Sequence, residues 1–65
     1  MKRKWLKMLR VEADMTCDGV GKAVGVSAVT YSLYESGKRN PKPEVAMKIG
    51  DLLGFDWTRF YDKAS

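Results

Sequence analysis

Apolar residues recur at helical spacing along most of the chain. From Lys4 to Ala13, the residues Trp5, Leu6, Met8, Leu9 and Ala13 trace an amphipathic helix. Leu6, Leu9 and Ala13 share one face of it, with Arg10 beside them. Thr16 is suited to cap a second helix over 17–24, and Asp18 matches the positive end of its dipole. Gly19 and Gly21 lie inside that segment and weaken it by about 1 kcal/mol each relative to alanine. A loop is the alternative there. The cap and the four-residue spacing of Val20 and Val24 favour the helix, and Gly21 would let a neighbouring helix come close. Gly25 then stops it. Ser27 caps a third helix over 28–36, which Gly37 terminates. The segment "KRNPKP" is a loop. Pro43 fits the first turn of a fourth helix, where its missing N–H leaves no bond unmade. Val45, Ala46, Ile49, Leu52 and Leu53 continue that helix to Gly54, and Asp56 caps a last short helix carrying Trp57, Phe60 and Tyr61. No alternating run is longer than "VSAVTY", where the serine cap argues against a strand. The pattern predicts an all-α domain of five helices.

The third helix sets a choice. On a helical wheel of about 100° per residue, Thr30, Tyr31, Tyr34 and Glu35 fall on one arc. Ala28, Val29, Ser32, Leu33 and Ser36 fall on the other. The aromatic arc buries more area, provided the Glu35 carboxylate finds a partner, and Arg10 is placed to supply one. The second arc is small and uncharged. It lacks the lysines and glutamates of a merely solvated face, and the basic loop "GKRNPK" follows it directly.

Size and charge narrow the classes. The chain has 65 residues, one cysteine and no histidine, which makes one small domain over 1–65 without an intrachain disulfide or a zinc cluster. No apolar run approaches the roughly 20 residues that span a bilayer, and the basic start "MKRKWLKMLR" has no apolar core of a secretory signal. A cytoplasmic location is the expectation. Net charge is +4, gathered in two clusters: Lys2, Arg3, Lys4, Lys7 and Arg10 at the start, and Lys38, Arg39 and Lys42 in the loop. Paired basic clusters suit a polyanion, although an ordinary solvated surface accounts for them equally. Residues 1–3 read as a basic arm that could be flexible and reach a phosphate or a minor groove, and 62–65 as a tail.

The segment from Thr16 to Ser27, followed by "TYSLYESGKRNP", resembles the helix-turn-helix of the Cro/C1-type (XRE) phage-repressor family. "YESGKRNP" from Tyr34 to Pro41 is the sharpest match, "GVS" is similar to the family's turn, and "KIGDLLGFDWTRFY" resembles its closing helices. The resemblance runs from about Leu6 to Tyr61. It implies a compact five-helix, lambda-repressor-like DNA-binding domain, in which helices 17–24 and 28–36 form the DNA-binding pair. It also implies burial of Thr30, Tyr31 and Tyr34, an Arg10–Glu35 ion pair, and a major-groove setting of Ala28, Val29, Ser32 and Leu33; Thr16, Cys17, Ser27 and, if exposed, Thr30 are the further candidate DNA contacts. The family has a glutamine at the position of Cys17, an alanine at Gly21 and an aliphatic residue at Tyr31. Cys17 departs from the glutamine that makes a phosphate contact there, and backbone N–H groups of the helix N-terminus can still offer bonds to a phosphate.

The third helix carries no Arg, Asn or Gln on its outer arc, so it makes no bidentate purine contact. The expected readout is of thymine methyls by Ala28, Val29 and Leu33, with hydrogen bonds from Ser32 and, if exposed, Thr30. The alternative is that Val29 or Leu33 packs on a neighbouring helix or partner. Lys38, Arg39 and Lys42, with the Asn40 amide, form the expected phosphate clamp. Trp57, Phe60 and Tyr61 fill the core by default and are the candidate two-fold dimer surface. Cys17 reads as a plain thiol, with a redox sensor as the sharper alternative.

The expected function is a sequence-specific transcriptional regulator of repressor type, prokaryotic or phage-encoded, binding double-stranded operator DNA as a homodimer. No cofactor, metal or small-molecule ligand is expected, and the catalytic checklist is empty. The rival reading is a protein-interaction module, or an antitoxin, built on the same fold.

Overall fold

The structure is a computed structural model that describes residues 3–61. Four α-helices follow in order: α1 (Lys4–Glu12), α2 (Cys17–Val24), α3 (Ala28–Ser36) and α4 (Pro43–Leu53). A 3₁₀ helix, Trp57–Tyr61, closes the chain, and no strand occurs among the described residues. The fold is all-α, and its fifth helical element is a single tight piece of 3₁₀ and not an α-helix. Three residues per turn place Trp57 and Phe60 one above the other, which a segment this short can hold. Asp56 starts it, accepting bonds from the Thr58 N–H and hydroxyl at 3.0 and 2.8 Å. Those bonds hold the Asp56 carboxyl below its ordinary pKa.

The local signals act where they stand. Thr16 accepts a hydrogen bond from the Gly19 N–H at 3.0 Å and opens α2 despite its glycines. Gly25, at φ 87°, turns the chain into a left-handed conformation that side chains disfavour. The N–H groups of Gly25 and Val26 both return to the Gly21 carbonyl at 2.8 Å. A Cβ on Gly21 would stand 2.7 Å from the Val26 carbonyl oxygen. Gly21 therefore makes room for the backbone of the following turn, not for the flank of another helix. α1 ends at Glu12, one residue early, which leaves Ala13 exposed beyond it.

The core is drawn from every helix: Leu6, Val20, Val24, Tyr31, Tyr34, Ala46, Ile49, Leu53 and Phe60. Phe60 corrects the expected dimer surface, because it is buried against Trp5 and Phe55 with both ring centroids at 5.6 Å. Trp57 is half-buried, and the exposed Tyr61 donates its hydroxyl to the Pro41 carbonyl at 2.7 Å.

The basic arm is corrected at Arg3. Its N–H bonds the Glu35 carbonyl at 2.7 Å. Its guanidinium donates to the carbonyls of Tyr34 (2.5 Å), Arg39 (3.2 Å) and Phe60 (3.4 Å) and to the Asn40 side-chain oxygen. Burial draws this guanidinium below its ordinary pKa, partly offset by Tyr61. Met1 and Lys2, and the tail at 62–65, lie outside the described residues.

Tyr31 is fully enclosed, 0% exposed, and stands edge-on to Tyr34 with centroids 6.3 Å apart. Burial, then the nearby Glu35 carboxylate, pushes its hydroxyl up in pKa, so it stays protonated. The hydroxyl lies close to that carboxylate but outside hydrogen-bond geometry, and it has no partner among the described residues. An unsatisfied buried donor is a cost. Tyr31→Phe is expected to leave stability unchanged or raise it by up to about 1 kcal/mol. Urea unfolding that showed a loss of that size instead would mean the hydroxyl is bonded in solution.

Candidate nucleic-acid interface

The turn between α2 and α3 is short because Gly25 ends one helix and Ser27 begins the next. The Ser27 hydroxyl oxygen accepts from the Thr30 N–H at 3.0 Å and donates to the Thr30 hydroxyl at 2.9 Å. Ser27 is thus occupied as a cap, and Thr30 is half-buried behind it. The choice posed by the wheel resolves inward for Tyr31 and Tyr34. Val29, 71% exposed, points to solvent with Ser32, while Ala28, Leu33 and Ser36 are half-buried at the edges of that face. The Ser36 hydroxyl donates to the Leu33 carbonyl at 3.0 Å and closes the last turn.

Arg10 and Glu35 meet and set this orientation. Arg10 Nε donates to Glu35 Oε2 at 2.6 Å, and Nη2 reaches Oε1 at 3.4 Å. Arg10 Nη1 also donates to the Met15 carbonyl at 2.9 Å. One guanidinium therefore joins α1, α3 and the approach to α2. The hydrogen bond to Glu35 raises the Arg10 pKa, so its charge is permanent.

Beyond α3, the N–H groups of Lys38 and Arg39 bond the Leu33 carbonyl at 3.2 and 3.3 Å. This folds the loop back against the helix end. Lys38, Arg39, Asn40 and Lys42 are all exposed, and none of the three cations is ion-paired among the described residues. The side-chain oxygen of the exposed Asn40 accepts from Arg3. The structure brings the uncharged face of α3 and this basic loop together at one end of the molecule.

The start of α2 is less favourable to an anion. Thr16 is exposed but caps the helix, and Cys17 is half-buried against the core. Asp18 sits in the first turn and pairs with Lys22 at 3.3 Å. Its negative charge stands in the same first turn whose dipole would attract a phosphate.

Sequence reasoning missed Arg3, which ties the last turn of α3 and the basic loop to the closing 3₁₀ helix. Its acceptors are mostly backbone carbonyls, which every residue carries, so no residue pattern marks them.

Residues 5–59 match the family model described as "Helix-turn-helix domain". Two curated proteins are similar. The "Uncharacterized HTH-type transcriptional regulator YqaF" of Bacillus subtilis (strain 168) is 45% identical over 62 residues, covering 95% of this chain and 82% of that protein. The "Cryptic phage CTXphi transcriptional repressor RstR" of Vibrio cholerae is 37% identical over 49 residues, covering 75% of this chain and 44% of that protein, so the match spans under half of the longer relative. No solved structure shows a significant match.

Proposed function

The chain belongs to the helix-turn-helix domain family, and from that premise we propose that it is a sequence-specific, DNA-binding transcriptional repressor of the Cro/C1 type that lays α3 in the major groove. The observation that carries this reading is the outward face of α3. Val29 stands free at the centre of a surface without charges, with Lys38, Arg39 and Lys42 exposed just past its end. An apolar side chain on a monomer surface is ordinary when scattered. One placed on the second helix of a helix-turn-helix, beside unpaired cations, is placed for a groove.

Val29 contacts thymine methyls, flanked by Ala28 and Leu33, and Ser32 donates to a base or phosphate. The loop cations hold the backbone in register. Two copies occupy half-sites about 34 Å apart, with Trp57 and Tyr61 at the surface between them. No helix among the described residues is long and apolar enough to cross a membrane, and a regulator of this kind works in the cytoplasm. The helix-turn-helix family is one of regulators and not of enzymes.

Selection from a random duplex pool tests this. Enrichment of T·A steps is expected, with a preference over bulk DNA of about 10³-fold or more. Val29→Asp brings a like charge to the phosphates and is expected to lower affinity for the selected duplex by about tenfold or more without changing the fold. Binding without sequence preference, left intact by Val29→Asp, would favour the protein-interaction module.

A further inference from the structure

Between the start of α1 and the flank of α3 lies an open cleft of about 220 Å³, lined by Arg3, Lys4, Lys7, Ser32, Glu35 and Ser36. Its charge is one-sided. Glu35 is the single acid in that lining, and Arg10 holds it at 2.6 Å. Lys4 and Lys7 are exposed, three residues apart on one face of α1, and neither is ion-paired among the described residues. Arg3 donates only to neutral acceptors, the carbonyls of Tyr34, Arg39 and Phe60 and the Asn40 oxygen, so its charge is not cancelled. Ser32 and Ser36 are four apart on α3 and belong to the same uncharged arc as Val29. The cleft therefore opens onto the side of α3 that faces DNA.

A helix seated in a major groove about 12 Å wide has a phosphate row on either side. The cluster at Lys38, Arg39 and Lys42 lies past one end of α3, and Lys4 and Lys7 lie along its flank. We propose that this cleft is a second phosphate site, in which Lys4 and Lys7 neutralise a backbone phosphate of the bound duplex and the exposed Ser32 hydroxyl donates to it. Arg3 adds its charge from behind. The proposal rests on the reading of α3 as the groove-entering helix. It gives the α1 lysines a role in affinity and none in base choice.

The test is the salt dependence of binding to the duplex recovered by selection, followed by fluorescence anisotropy. The double variant Lys4→Gln/Lys7→Gln is expected to make the slope of log K against log salt shallower by about 0.9 per subunit, and each single variant by part of that. Base preference and thermal unfolding stay as in the wild type. Lys48→Gln, on the exposed side of α4, removes the same charge elsewhere and is expected to leave the slope unchanged. Wild-type binding with an unaltered slope in the Lys4/Lys7 double variant overturns the second phosphate site and leaves the repressor reading standing. An equal loss of slope from Lys48→Gln overturns it as well, because net charge alone would then explain the effect. A wild type that selects no duplex overturns both.

Discussion

Replacing Arg10 by methionine is expected to cost about 3 kcal/mol of stability. The Glu35 carboxylate would lose both of its bonds, at 2.6 and 3.4 Å, in a place where its side chain is only 12% exposed. The nearby Tyr31 hydroxyl makes no hydrogen bond in this geometry and brings no positive charge to replace the guanidinium. The Met15 carbonyl loses its donor too. A fully buried pair would cost more to break, but the slight exposure of both ends lets water relieve part of the penalty. A domain of this length holds roughly 3–10 kcal/mol in total, so the variant keeps roughly 0–7 kcal/mol and unfolds at a clearly lower urea concentration than the wild type. Urea titration followed by the fluorescence of Trp5 and Trp57 measures the loss. The double variant Arg10→Met/Glu35→Leu is expected to recover most of it, since no charge is then stranded. A cost below about 1 kcal/mol for Arg10→Met would mean that the pair is solvated and does not hold α3.

Neutralising the loop is expected to produce the largest change in binding. With Lys38, Arg39 and Lys42 all replaced by glutamine, the slope of log K against log salt should become shallower by about 2.7 per subunit. Affinity at low salt should fall about a hundredfold or more. The three side chains are exposed and unpaired among the described residues, so the fold has no reason to change. The backbone beneath them stays in place, because the Leu33 carbonyl and Arg3 hold it from within. The ranking of duplexes recovered by selection should survive, since phosphates position a protein without reading sequence. Anisotropy titrations over a range of salt give the slope directly. A triple variant that bound with the wild-type slope would remove these residues from the interface, and one that bound a different sequence would make them base readers.

The two substitutions separate support from contact. Arg10 and Glu35 orient α3 without touching a ligand, whereas Lys38, Arg39 and Lys42 touch it without orienting α3. Stability and salt slope should therefore move independently in the two sets, and a variant that shifts both would point to a coupling between helix and loop that the static geometry does not require.

Much of this protein was determined by local sequence. Thr16 and Ser27 cap the helices they precede, and Gly25, Gly37 and Gly54 follow the helices they end, because capping is settled within about four residues. Helical periodicity separated the two arcs of α3, and the larger aromatic area with Arg10 as the partner of Glu35 turned the tyrosine arc inward. Tertiary structure decided the rest. That Phe60 of the 3₁₀ helix packs on Trp5 and Phe55, while Trp57 stays half-buried and Tyr61 exposed, shows only in the folded chain. Gly21 serves the turn at Val26, a backbone contact that shows only once the chain has doubled back. Arg3 reaches acceptors 31 to 57 residues away. Most of these are main-chain oxygens, identical at every position, and only folding distinguishes one from another.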